Sequence, residues 1–135
     1  MGKVLAFDYG TRRTGLAITD DLKIIASPLE GVETKNLWER IKDLVSSENI
    51  ESFVVGDPSM LGDITHSTEA INTFCEKLGK TYPTIPIHRV DESFSSREAM
   101  SAMVAGGMKK KKRRDKKTLD MVSAAIILQR WLENR

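Results

Sequence analysis

Asp8, the pair Asp91-Glu92 and Asp120 stand where elements of this chain begin or end. Asp8 follows Val4 and Ala6 at period two, so on a strand it leaves the same face as they do. Asp91 and Glu92 close another apolar segment. Strand neighbours point to opposite faces, so only one of the two joins a given site, and alternation over IPIHRV does not choose between them. Asp120 precedes Ala124, Ile127, Leu128 and Trp131 at helical spacing, which sets it on an apolar stripe. Each acid has an ordinary alternative: a turn Asp before Tyr9-Gly10, an acidic approach to a helix start, and a first-turn acid on a positive helix end. The last explains where Asp120 lies along its helix but not its facing, because an unpaired buried carboxylate is costly. Acids that converge repel one another, and hard cations with oxygen preference, Mg²⁺ or Mn²⁺, relieve that repulsion. Two such ions about 3.5–4 Å apart can clamp the attacking and leaving oxygens of a phosphodiester displacement.

The elements that must position these acids follow from periodicity. Lys3–Asp8 reads as a buried strand, Arg13–Thr19 as a second and Leu22–Ser27 as a third, joined by turns at Tyr9–Arg12 and Asp20-Asp21. That is a three-stranded antiparallel meander. Asn36 with Glu39 opens a helix lined by Leu37, Ile41, Leu44 and Val45. Ser52–Gly56 is a strand, and Ile71, Phe74, Cys75 and Leu78 mark a helix that Gly79 is placed to stop. Ile85–Asp91 is a fifth strand. Ser95 with Glu98 opens a helix that Gly106-Gly107 ends, and Thr118 caps a last helix to about Asn134. The order βββαβαβαα implies a mixed sheet with parallel crossovers in its second half. Parallel strands bring their carboxyl ends to one edge, where ligands bind in open sheets.

At 135 residues and 15.1 kDa the chain fits one domain, and its 40% apolar and 30% charged residues exclude disordered and collagen-like classes. The longest apolar run, Ala124–Leu128, is far short of the ~20 residues of a membrane helix. No signal-peptide pattern is present, Ala6 stands where myristoylation wants Ser or Thr, and Cys75 is alone, so the expected compartment is the cytoplasm. Charge is unevenly spread. Residues 109–117 hold eight of the 21 basic residues and one of the 19 acids, leaving 13 against 18 elsewhere, a net −5 in a chain of net +2. This segment reads as a flexible basic loop at about 107–117, solvated by itself and suited to contact phosphate on a polyanion. His66 and His88 show no motif and read as surface or packing residues; Trp38 and Trp131 lie in helices and read as packing.

Four blocks carry a resemblance. They are Ala6-Phe7-Asp8-Tyr9-Gly10-Thr11-Arg12-Arg13-Thr14-Gly15, Val54-Val55-Gly56-Asp57-Pro58, Val90-Asp91-Glu92-Ser93-Phe94-Ser95-Ser96-Arg97-Glu98-Ala99, and Leu119-Asp120 through Gln129. In this order and spacing the chain resembles, over essentially its whole length, the YqgF/RuvX family, related to RuvC-type Holliday-junction resolvases. The resemblance implies a ribonuclease H-like α/β fold: a mixed five-stranded sheet, three-strand meander plus two parallel crossover strands, with helices on both faces. It implies Asp8, Glu92 and Asp120 as catalytic acids. From the convergence of these acids, Asp8 is expected to bind or bridge Mg²⁺ or Mn²⁺, with Glu92 and Asp120 completing the shells as metal ligands and no His required. The resemblance implies a nuclease that matures the 5′ end of pre-16S rRNA, or a resolvase of branched DNA, which as a cutter of two symmetric strands is expected to be a homodimer. Thr11, Arg12, Arg13, Ser95 and Ser96, near the acids in sequence, and Lys109, Lys110, Lys111, Lys112, Arg113 and Arg114 of the basic segment are expected to contact nucleic acid; no membrane partner is expected. Two departures stand out. Asp57 replaces the usual Leu and adds an acid that either joins the metal site or caps a turn, and Ser93 replaces the Arg that usually follows Glu.

Two other readings compete. Gly10 to Gly15 has P-loop glycine spacing, and Asp8-Tyr9-Gly10-Thr11 is similar to the phosphate loop of actin- and hexokinase-like ATPases. Leu16 and Ala17, however, stand where Lys and Ser/Thr are needed, and one domain is too few for that ATPase architecture. A ribosome-assembly platform that binds nucleic acid without turnover is the other.

Overall fold

A computed structural model describes residues 2–57, 66–91, 95–113 and 115–135. Its strands are β1 (Lys3–Asp8), β2 (Arg13–Thr19), β3 (Ala26–Glu33), β4 (Ile50–Asp57) and β5 (Ile87–Asp91). Its helices are α1 (Leu37–Ser47), preceded by a 3-10 turn at Thr34–Asn36, α2 (His66–Thr81), α3 (Ser95–Ala105), the short α4 (Lys110–Arg113) and α5 (Lys116–Asn134). The sheet order is β3-β2-β1-β4-β5, with β1–β2 and β2–β3 antiparallel and β1–β4 and β4–β5 parallel. The meander and the two crossover strands are thus as the periodicity implies.

Alternation along the strands sorts the core into two layers. Leu5, Phe7, Leu16, Phe53 and Val55 face α1 and α2, against Leu37, Ile41, Leu44, Ile71, Phe74 and Leu78. Val4, Ala6, Ala17 and Val54 face α5, against Ala124, Ile127 and Leu128. The side chains on the α5 face are small, which lets that helix lie close. Closest approach comes at two glycines paired across β2 and β3, Gly15 and Gly31. A Cβ on Gly15 would lie 1.9 Å from the Asp120 carbonyl oxygen, and one on Gly31 would lie 2.6 Å from that of Lys117. The first turns of α5 therefore rest backbone-to-backbone on the meander, which only glycine permits.

Several boundaries differ from the sequence reading. β3 begins at Ala26, not Leu22, because the Asp20 carboxylate accepts from the amides of Ile24 and Ile25, both at 2.9 Å, and removes them from the ladder. Those bonds also hold the Asp20 carboxyl below its usual range. β3 continues through Pro28 and Gly31 because it is an edge strand, where proline is tolerated. Gly79 does not stop α2, which runs to Thr81, two residues before Pro83. Asn36 makes no side-chain cap, since winding already starts at Thr34. The cap of α5 is Asp115 rather than Thr118. Its carboxylate accepts from the Lys117 amide at 3.2 Å and from the Thr118 hydroxyl at 3.0 Å. Within the basic segment, where the sequence suggested a loop, Lys110–Arg113 form a helical turn and Lys116 and Lys117 open α5. Lys and Arg are good helix formers, and at the start of α5 the Asp115 cap adds to that preference. Among the described residues no helix is long and apolar enough to cross a membrane.

The glycine contacts separate two substitutions. Gly15→Ala forces the α5 backbone off the sheet and is expected to cost about 2–3 kcal/mol or more. Gly79→Ala meets only the Ile87 Cδ1 at 3.7 Å and is expected to be neutral or stabilising by up to about 1 kcal/mol. Denaturant unfolding of the two variants checks both.

Candidate active site

Asp8 is the last residue of β1 and its cross-strand partner is Gly15. Because Gly15 supports the α5 backbone at Asp120, the strand acid and the helix acid meet at one place. Asp8 and Asp120 line a common cavity of about 320 Å³ with Tyr9, Gly10, Thr11, Arg12 and Arg13. Asp120 lies one turn inside α5, which starts at Lys116, so a favourable first-turn position does not explain it. The facing expected from its stripe holds: Ala124, Ile127 and Leu128 are fully buried beneath the same helix.

Arg13 opens β2 and shares the α5 face with Gly15 and Ala17. Its Nε donates to Asp120 Oδ2 at 2.9 Å. With the two side chains 36% and 20% exposed, the pair contributes no more than about 1 kcal/mol, so its role is to orient Asp120 rather than to hold the helix. The loop carrying Arg12 is braced from the 3-10 turn after β3: the Thr34 amide donates to the Arg12 carbonyl at 2.9 Å, and the Thr14 and Thr34 hydroxyls are 2.9 Å apart. Tyr9 alternates to the opposite face, where its ring stacks on Phe74 with centroids 4.5 Å apart, and burial pushes its phenol pKa up.

Asp57 and Asp91, the two other acids that end strands, are paired across β4 and β5. Asp57 alternates with Val54 and Gly56, so it faces α2 rather than α5. It is 4% exposed, and Arg89 Nη1 donates to its Oδ2 at 3.3 Å and to Asn72 Oδ1 at 2.6 Å. Asp91 falls on that same face, and its carbonyl accepts from Arg130 Nη1 at 2.8 Å. Neither acid is among the residues that line the cavity of Asp8 and Asp120. Glu92 lies outside the described residues; Val90, two residues before it, packs on the α5 layer.

Of the expected nucleic-acid contacts, Thr11, Arg12 and Arg13 line the acid cavity. Ser95 and Ser96 begin α3. Lys109, Lys110 and Lys111 are exposed, Lys112 and Arg113 complete α4, and Arg114 lies outside the described residues. His88 packs on Trp131 with ring centroids 5.2 Å apart, and Trp38 packs on Phe74 at 5.5 Å, so these read as packing groups as expected. Two cations the sequence reading left out of the site, Lys35 and Lys117, line a groove beside the cavity. Lys35 has no local sequence signal. Lys117 had one, the basic run itself.

The all-oxygen donor set fits a hard divalent cation. Asp8 and Asp120 would hold it, and Asp120 already binds one cation, the Arg13 guanidinium. Among the described residues no three His, Cys, Asp or Glu side chains form a metal cluster.

The separation of Asp57 from this cavity has a measurable consequence. Asp57→Asn leaves Arg89 without its counter-charge and is expected to cost about 1–3 kcal/mol in a thermal melt while leaving divalent-ion affinity unchanged.

Comparison with known proteins identifies the family. The chain is 47% identical over 133 residues to a Christiangramia forsetii protein named "Putative pre-16S rRNA nuclease", covering 98% of each. It is 47% identical over 135 residues to a Porphyromonas gingivalis protein of the same name, covering 99% of this chain and 98% of the other. Its fold is similar to that of Thermus thermophilus RuvC solved with a Holliday junction substrate, with TM-score 0.57 and 19% identity over 100% of this chain and 96% of that one. That likeness shows the ribonuclease H-like fold. With residues 2–134 matching the family described as "RuvX: Holliday junction resolvase", the chain belongs to the RuvX family.

Proposed function

We propose that this protein is a divalent-ion-dependent nuclease that hydrolyses phosphodiester bonds in precursor 16S rRNA, at the 5′ end. The observation that carries the reading is the meeting of Asp8 and Asp120 in one cavity rimmed by Arg12 and Arg13. Relatives alike over nearly their whole length bear the name of a pre-16S rRNA nuclease, which favours RNA. The family description and the junction-bound fold neighbour favour a second reading, a dimeric resolvase of branched DNA.

In the proposed mechanism Asp8 and Asp120, with Glu92 as the third ligand, hold Mg²⁺ or Mn²⁺. Such ions, when bound, would supply Lewis-acid activation of water and neutralisation of charge developing on the phosphate. Arg13 keeps the Asp120 carboxylate turned toward the cavity. Arg12, which lines the cavity on a braced loop, would donate to a non-bridging phosphate oxygen. The lysines of α4 draw the polyanion in from a distance, a steering effect that salt weakens.

Cleavage of a precursor 16S transcript with Mg²⁺ or Mn²⁺, and with a chelator, tests the reading. The parent is expected to cut only with the ion. Asp8→Asn and Asp120→Asn are expected to lose several kcal/mol of transition-state stabilisation, about 100-fold or more in rate. Equal cutting by Asp8→Asn contradicts the site, and preferential cutting of a four-way DNA junction selects the second reading. Neutralising Lys109 to Lys112 is expected to flatten the salt dependence of binding by about 0.7–0.9 log-log units per lost contact. An unchanged slope removes α4 from the interface.

A further inference from the structure

Beside the acid cavity lies a groove of about 430 Å³ lined by Thr11, Arg12, Arg13, Glu33, Lys35 and Lys117. It shares Thr11, Arg12 and Arg13 with the cavity, so the two are continuous. Four of its six residues are cationic. Three separate stretches of chain supply them, each anchored through its backbone; the Lys35 ammonium itself is largely exposed and lies 3.4 Å from the Glu33 carboxylate. Arg12 comes from the β1–β2 connection and Arg13 from the start of β2. Lys35 comes from the 3-10 turn, whose Thr34 amide is bonded to the Arg12 carbonyl at 2.9 Å. Lys117 comes from α5, where its backbone rests on Gly31 and its amide is bonded to Asp115.

The next groove outward, about 470 Å³, has the opposite sign. Glu30, Glu33, Glu39 and Asp43 line it, and of its two cations Arg40 is paired with Glu30. Charge therefore reverses across Glu33 and Lys117, which both grooves share.

We infer that the cationic groove is a binding track for the polynucleotide phosphates adjoining the cleaved linkage, and that the acidic groove between β3 and α1 ends the track by repelling the strand. This deepens the nuclease reading and rests on it. It assigns a path: from Asp8 and Asp120, past Arg12, over Lys35 and Lys117. The strand is turned away from α1.

Binding of a fluorescent precursor 16S transcript to the full chain, measured across a salt series in the presence of a chelator so that nothing is cut, tests the track. Lys35→Gln and Lys117→Gln are each expected to weaken binding about fivefold near 0.15 M salt and to flatten the log-log slope by about 0.7–0.9. Lys80→Gln, near the end of α2, controls for loss of any surface charge and is expected to leave both unchanged. The double variant Glu39→Gln/Asp43→Asn is expected to tighten binding. Parent-like slopes for both groove lysines, or losses no larger than that of Lys80→Gln, overturn the track. Unaltered affinity in the double variant overturns the repelling wall. A parent protein that binds no polynucleotide at low salt overturns the nuclease reading itself, an outcome distinct from the other two.

Discussion

The candidate site depends on one steric permission: the backbone of α5 can touch the meander because Gly15 and Gly31 face it side by side. Asp8 ends β1 opposite Gly15, and the Asp120 carbonyl sits over Gly15, so the two carboxylates are brought together by backbone contact rather than by attraction. Their mutual repulsion opposes that approach. The small apolar layer of Val4, Ala6, Ala17, Val54, Ala124, Ile127 and Leu128 holds the helix down against it.

Around that centre the fixed charges are sorted by element. The acids sit at a strand end and on a helix. The cations sit on a loop and the start of β2, a 3-10 turn and the start of α5, all tied together by Thr34 and by the glycine pair. The same backbone contacts that join Asp8 to Asp120 thus also place Lys117 next to Arg12 and Lys35. Asp57 illustrates the converse. A buried acid near the same sheet edge, turned by alternation to the other face, is matched by Arg89, which Asn72 also engages. Sheet parity decides which carboxylates belong to the site.

Much of this was legible in the residues. Period-two alternation placed Asp8 with Val4 and Ala6, and the i+4, i+7 stripe placed Asp120 toward the sheet, because both patterns report facing directly. The three-strand meander and two crossovers followed from the change of period. What was illegible depended on contacts between distant segments. Gly31 and Pro28 look like breakers in isolation, yet belong to an edge strand that accommodates α5. The cap of α5 lay hidden inside a run of lysines, where Asp115 passed as a lone exception to the charge. Lys35 has no pattern around it, and only the Thr34 bonds to the β1–β2 loop bring it to the groove.

The central claim is that Asp8 and Asp120 share a divalent cation. Titration with Mn²⁺, followed by paramagnetic broadening of backbone amide resonances, tests it without substrate. Broadening decays steeply with distance, so the amides of Tyr9 and Gly10 and those of Asp120 and Met121 are expected to vanish together at the same sub-stoichiometric Mn²⁺. Broadening confined to one of these segments, with the other sharp to saturation, would contradict the account.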